Sequence, residues 1–130
     1  MTILDSNVWI AFFHKNDNQH KKAEKIIKEL DTKIIIPEYI ITEISSILCF
    51  KASKKIAVTF LESILDNNDI EILLSNKQIF NNTVNNFIND NNNKLSFINT
   101  MLLCLSKKYQ LITFDKNLQK AIITNNITLN

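Results

Sequence analysis

Asp5, Glu43 and Asp115 are the residues of this chain whose types and settings could do chemistry together, with Asn99 as a fourth polar group among apolar neighbours. Asp5 follows directly on Thr2-Ile3-Leu4, and Asp115 on Leu111-Ile112-Thr113-Phe114; both are short runs of strand-forming residues. In open parallel sheets, functional groups gather beyond the carboxyl ends of the strands. The two acids therefore approach each other if those strands are neighbours. Each also has a local explanation, because Asp is a preferred N-cap and a helical pattern follows both. On a helical wheel Glu43 sits beside Ile40 and Ile47, at the border of an apolar stripe. A carboxylate there either snorkels past the core or points into a cleft. Asn99 falls three residues after Ser96, where it either reaches back to the helix start or directs its amide into that same cleft.

Hard divalent cations select carboxylate oxygens and water. Two carboxylates about 4 Å apart repel by about 1 kcal/mol in water and about 4 kcal/mol at an effective dielectric of 20. A cluster of three acids makes structural sense mainly around a cation.

Other chemistries find less support. The chain contains no Gly, which removes the glycine-rich phosphate loops and dinucleotide fingerprints that need close backbone approach. Asn is expected to take over the turns, at Asp66 to Asp69 and Asn89 to Asn93, because it tolerates the left-handed region. Cys49 and Cys104 show no ligand spacing and read as buried, reduced thiols. His14 and His20, flanked by Lys and Asn, read as surface residues. All 15 basic residues are Lys. Any grip on phosphate must then use ammonium groups or backbone amides, not guanidinium forks. The Lys pairs at 21–22, 54–55 and 107–108 read as solvated helix faces. A net charge of +2 does not by itself announce a nucleic-acid binder.

The elements that must position these residues follow from hydrophobic period. With 45% hydrophobic and 22% charged residues, 130 residues suffice for one core. Short strands are expected at Thr2–Leu4, Lys33–Ile36, Ile70–Leu74 and Leu111–Phe114, with a last one at Ile127–Leu129. Helical patterns fill the intervals: from Val8, after Asp17-Asn18, from Glu38 to about Phe50, from Ser53, through the Asn-rich stretch 76–93, from Leu95 to Tyr109, and from Asp115. Strands alternating with helices indicate parallel pairing through right-handed crossovers. The expected fold is a three-layer α/β/α sandwich around a mainly parallel sheet of four to five strands, as one domain over residues 1–130. No apolar run approaches the ~20 residues of a membrane helix. Residues 1–15 hold no secretory signal pattern, so the cytoplasm is the expected compartment.

Four segments taken together resemble the PIN domain family, and most closely its VapC-like toxins: Leu4-Asp5-Ser6-Asn7-Val8-Trp9-Ile10-Ala11, Pro37 to Glu43, Leu95-Ser96-Phe97-Ile98-Asn99, and Leu111 to Asp115. The resemblance implies an Mg²⁺- or Mn²⁺-dependent endoribonuclease, the toxin of a toxin–antitoxin pair. Asp5 would ligate the metal, Glu43 would order metal-bound water, and Asp115 would complete the cluster, with Asn7 and Thr113 as supporting polar groups. Asn99 departs from the pattern, since the family normally has Asp there. That departure opens an alternative, a weakened or inactive PIN-like module that binds RNA or protein. The resemblance, with the exposed-looking Phe12 and Phe13, also implies a homodimer, and it implies an antitoxin partner.

Overall fold

The computed structural model describes residues 1–90 and 94–128, the last three of these by backbone only. The chain opens with β1 (Thr2–Leu4), α1 (Ser6–Phe13), α2 (His20–Glu29), β2 (Ile34–Pro37) and α3 (Glu38–Lys51). It continues through α4 (Lys54–Leu65), β3 (Ile70–Leu73), α5 (Lys77–Asn89), α6 (Phe97–Leu105), β4 (Gln110–Ile112) and α7 (Lys116–Thr128).

The four strands form one parallel sheet in the order β3-β2-β1-β4. β1 lies at the centre and all three of its residues are buried, as expected of a strand covered on both faces. The register that matters most pairs Thr2 with Gln110, Ile3 with Leu111 and Leu4 with Ile112. Asp5 and Thr113 are thus level at the carboxyl edge of the sheet, and Asp115 follows at once. The main helix contacts fall into two groups, α1 to α4 and α5 to α7. The path from β1 through β2 to β3 and the return to β4 run in opposite directions, so right-handed crossovers put the groups on opposite faces. The result is the α/β/α sandwich.

Side chains of Ile3, Leu4, Ile35, Ile36, Ile40, Ile44, Leu48, Phe60 and Leu102 form the inner core. Phe60 fixes the packing of α4 on α1: Trp9 meets it edge-on at 5.7 Å and Phe13 at 5.5 Å between ring centroids, a favoured aromatic geometry. Helix starts are set by side-chain caps. Ser53 Oγ accepts from the Ile56 amide at 3.1 Å, Asn76 Oδ1 from Ile79 at 2.8 Å, and Ser96 Oγ from Asn99 at 3.1 Å.

Several expectations need correction. Ile127 and Thr128 continue α7 and do not form a strand; Leu129 lies outside the described residues. No described residue has a positive φ. Asn serves the turns by another route: Asn67 Oδ1 accepts the Asp69 amide at 2.8 Å, closing the turn before β3 through its side chain. Of the stretch 89–93, residues 91–93 lie outside the described residues. Cys49 is exposed, because it lies one residue past the buried stripe Ile40, Ile44, Leu48, while Cys104 is half-buried. Phe12 and Phe13 are packed against the core; the apolar side chains actually exposed include Phe50, Leu65, Leu74 and Ile88. His20 is half-buried, with Nδ1 2.7 Å from the Ala11 carbonyl oxygen.

Candidate functional site

The carboxyl edge of β1 and β4 carries a compact polar junction built on Thr113. The Thr113 hydroxyl donates to Asp5 Oδ2 at 2.7 Å and accepts from the Asp115 amide at 3.0 Å. Asn7, in the first turn of α1, closes the junction. Its Nδ2 donates to Asp5 Oδ2 at 3.4 Å and to Thr113 Oγ1 at 3.3 Å, and its Oδ1 accepts the Phe114 amide at 3.1 Å. The helix-starting end of α1 and the segment after β4 are therefore held together by side chains more than 100 residues apart in sequence.

Asp5 and Asp115 do cap helices. Asp5 Oδ1 accepts from the Ser6 amide at 2.7 Å, and Asp115 Oδ1 from the Leu118 amide at 3.0 Å. In each case the second carboxylate oxygen turns the other way, Asp5 Oδ2 toward Thr113 and Asp115 Oδ2 toward Asn99. The local explanation and the shared site coexist in the same side chains. Asn99 donates from Nδ2 to Asp115 Oδ2 at 3.4 Å, while only its backbone amide is taken by Ser96. Its side chain faces the acids and does not reach back to the helix start.

Electrostatics tie in Glu43 from α3. Asp5 is 3% exposed, and burial pushes its carboxyl above the ordinary value of 3.8. The charge of Glu43 pushes the same way, against the hydrogen bonds from Thr113 and Ser6 that favour the ionised form. Glu43 is half-buried, and its carboxylate makes no hydrogen bond or ion pair with any described residue. A half-buried carboxylate beside a buried one, with no cation of the described residues paired with it, is an unbalanced arrangement.

Among the described residues no three Asp, Glu, His or Cys side chains stand together as a ready-made metal cage. The donors come instead as the Asp5–Glu43 pair and the Asp115–Asn99 pair, joined through Thr113. All are oxygen donors, with no thiol or imidazole. Mg²⁺ characteristically uses one or two carboxylates, keeps several waters and takes substrate phosphate oxygens as further ligands. The residues present fit a hard divalent cation of that kind. Cavities lie elsewhere, including one of about 450 Å³ lined by Asn85, Asn89, Thr100, Lys107 and Asn125. Size alone does not locate the site.

The spacing of Asp5, Asp115 and Asn99 was legible from sequence, and so was Glu43's place on an apolar border. The hub role of Thr113 was less so, because a Thr at a strand end is ordinary until its partners are known.

The family model of the PIN domain matches residues 2–122. No curated protein matches the sequence. Among solved structures, the VapC20 toxin of Mycobacterium tuberculosis, a toxin that cleaves the sarcin–ricin loop, is similar with a TM-score of 0.85 and 14% identity over 93% of this chain and 95% of that one. A chain of a toxin–antitoxin complex from Klebsiella pneumoniae is similar with a TM-score of 0.64 and 14% identity, over 88% and 87%.

Proposed function

Because this chain belongs to the PIN domain family, we propose that it is a metal-dependent endoribonuclease and the toxin of a toxin–antitoxin pair. The observation that carries the reading is the half-buried, unpartnered Glu43 beside the buried Asp5, a charge arrangement that an external cation would relieve. The similarity of fold to a toxin that cleaves the sarcin–ricin loop and to a chain of a toxin–antitoxin complex supports the same reading.

In this reading Asp5, Glu43 and Asp115 hold Mg²⁺ or Mn²⁺, with the Asn99 amide beside them. When bound, the cation would activate water and stabilise the charge that develops on the reacting phosphate. The protein's own part is positional. Thr113 holds Asp5 Oδ2 in one place, and Asn7 locks the Phe114 backbone so that Asp115 emerges from β4 at a fixed angle. Both caps set the directions in which the carboxylates project. RNA, an antitoxin protein and a second copy of the chain are the proposed partners. No described helix is long and apolar enough to cross a membrane, and the cytoplasm, where RNA is abundant, is the proposed site of action.

Asn99 favours a second reading. Its amide supplies no charge and donates toward Asp115, so a PIN-like module that binds RNA or protein without cutting it is the alternative. One experiment separates the two: incubate the chain and its Asn99→Asp and Asp5→Ala forms with RNA, with Mn²⁺ or with a chelator. Cleavage that needs Mn²⁺ and Asp5 supports the nuclease. If neither the native nor the Asn99→Asp form cuts RNA, the nuclease reading fails.

A further inference from the structure

Three carboxylates at one sheet edge repel a polyanion, and the chain has no Arg to offset them. A substrate phosphodiester chain needs positive charge close to the acids but not among them. Lys22 meets that description. It lies on α2, which packs on α1, and its Nζ sits 5.2 Å from the centroid of the Phe114 ring. Phe114 immediately precedes Asp115, and its backbone amide is held by Asn7. No described carboxylate lies within ion-pair distance of Lys22. Its ammonium is therefore exposed, uncompensated, and held beside the site by an aromatic face.

We infer that Lys22 is a phosphate-contacting residue for RNA, holding a backbone phosphate next to the one that reacts, with Phe114 as its positioning platform. The inference rests on the ribonuclease reading and deepens it by naming how the backbone is gripped. Lys is a point charge that binds phosphate without base preference, so the contact sets register along the strand and leaves sequence choice to other groups. The ring matters because an unsupported Lys side chain samples many rotamers, whereas one laid over Phe114 is partly ordered before RNA arrives. The chain contains a natural control. Lys108 lies over Tyr109 at 5.4 Å, a similar pair just before β4, at the opposite edge of the sheet from the acids.

The test is RNA binding as a function of salt, read by anisotropy of a short fluorescein-labelled single-stranded RNA in Ca²⁺ buffer, with the RNA checked for integrity afterwards. One phosphate contact to a single strand contributes about 0.7 to the slope of log affinity against log salt. Lys22→Gln should lower the slope by about that amount, so that the native chain loses roughly 2.5-fold more affinity than the variant between about 50 and 200 mM salt. Lys108→Gln should leave the slope unchanged. Phe114→Leu should weaken binding at each salt concentration while keeping the slope. Tb³⁺ luminescence at the acids, unchanged in Lys22→Gln, shows that the metal site is intact. A native slope in Lys22→Gln, or an equal loss in Lys108→Gln, overturns the inference and leaves the nuclease reading standing. A native chain that binds Tb³⁺ but no RNA overturns both.

Discussion

The Thr113 hydroxyl donates to Asp5 Oδ2 at 2.7 Å, joining the ends of two neighbouring strands 108 residues apart. It also accepts the Asp115 amide, so one oxygen serves both acids. Thr113→Val keeps the shape and removes that oxygen, leaving a buried carboxylate and an amide short of a partner. A loss of about 1–3 kcal/mol in stability is expected, together with a drop in any cleavage. Thr113→Ser, which retains the hydroxyl, should recover most of both. Equal melting temperatures for the Val variant and the native chain would show that the junction contributes nothing.

A divalent cation should stabilise the fold. At 100 times its dissociation constant a ligand adds about 2.7 kcal/mol to native stability. Mn²⁺ should therefore raise the melting temperature of the native chain, and Glu43→Ala or Asp5→Ala should abolish most of the rise. A calorimetric trace unmoved by saturating Mn²⁺ counts against the metal site.

Asn99→Asp should tighten that binding. It restores a charge beside Asp115, and an added interaction of about 1.4 kcal/mol corresponds to tenfold in affinity. Without metal the same substitution should destabilise the chain, because Asp115 then faces a like charge in place of an amide donor. Isothermal titration with Mn²⁺, compared with melting in a chelator, reads both effects; a gain in apo stability would contradict the geometry.

The raised carboxyl of Asp5 fixes the sign of a pH effect. Below the ordinary value of 3.8 the group is neutral in folded and unfolded chains alike. As pH rises through the elevated folded-state value, the folded chain must ionise a buried group that the unfolded chain has already ionised, and stability falls. Asp5→Asn should accordingly be more stable than the native chain at neutral pH without metal. That advantage should shrink as pH is lowered toward 3.8. An advantage independent of pH would assign it to packing instead of charge.

Much of this architecture is legible in the sequence because local chemistry and global fold agree. The β-branched run Ile34 to Ile36, cut off by Pro37, reads as a short strand, and Pro37 ends it where α3 begins. The apolar stripe that buries Ile40, Ile44 and Leu48 also fixes the direction of Glu43. Local signals fail where a choice depends on distant partners. Ile127 and Thr128 have strand-forming side chains, yet with no breaker at Asn125-Asn126 they extend α7. Phe12 and Phe13 look exposed until α4 delivers Phe60 against Phe13. Lys22 reads as one more solvated cation until Phe114 arrives beneath it from almost 100 residues away.

The pairing of β1 with β4 also has a consequence in time. Protein synthesis runs from the amino end, so Asp5 and Glu43 leave the ribosome long before Thr113 and Asp115 exist. Until Leu111 and Ile112 dock beside Ile3 and Leu4, Asp5 has no hydroxyl to hold it and no acid opposite. A nascent chain therefore cannot assemble this junction through most of its translation, and the two pairs of side chains meet only once the segment through Asp115 has emerged and β4 has docked on β1.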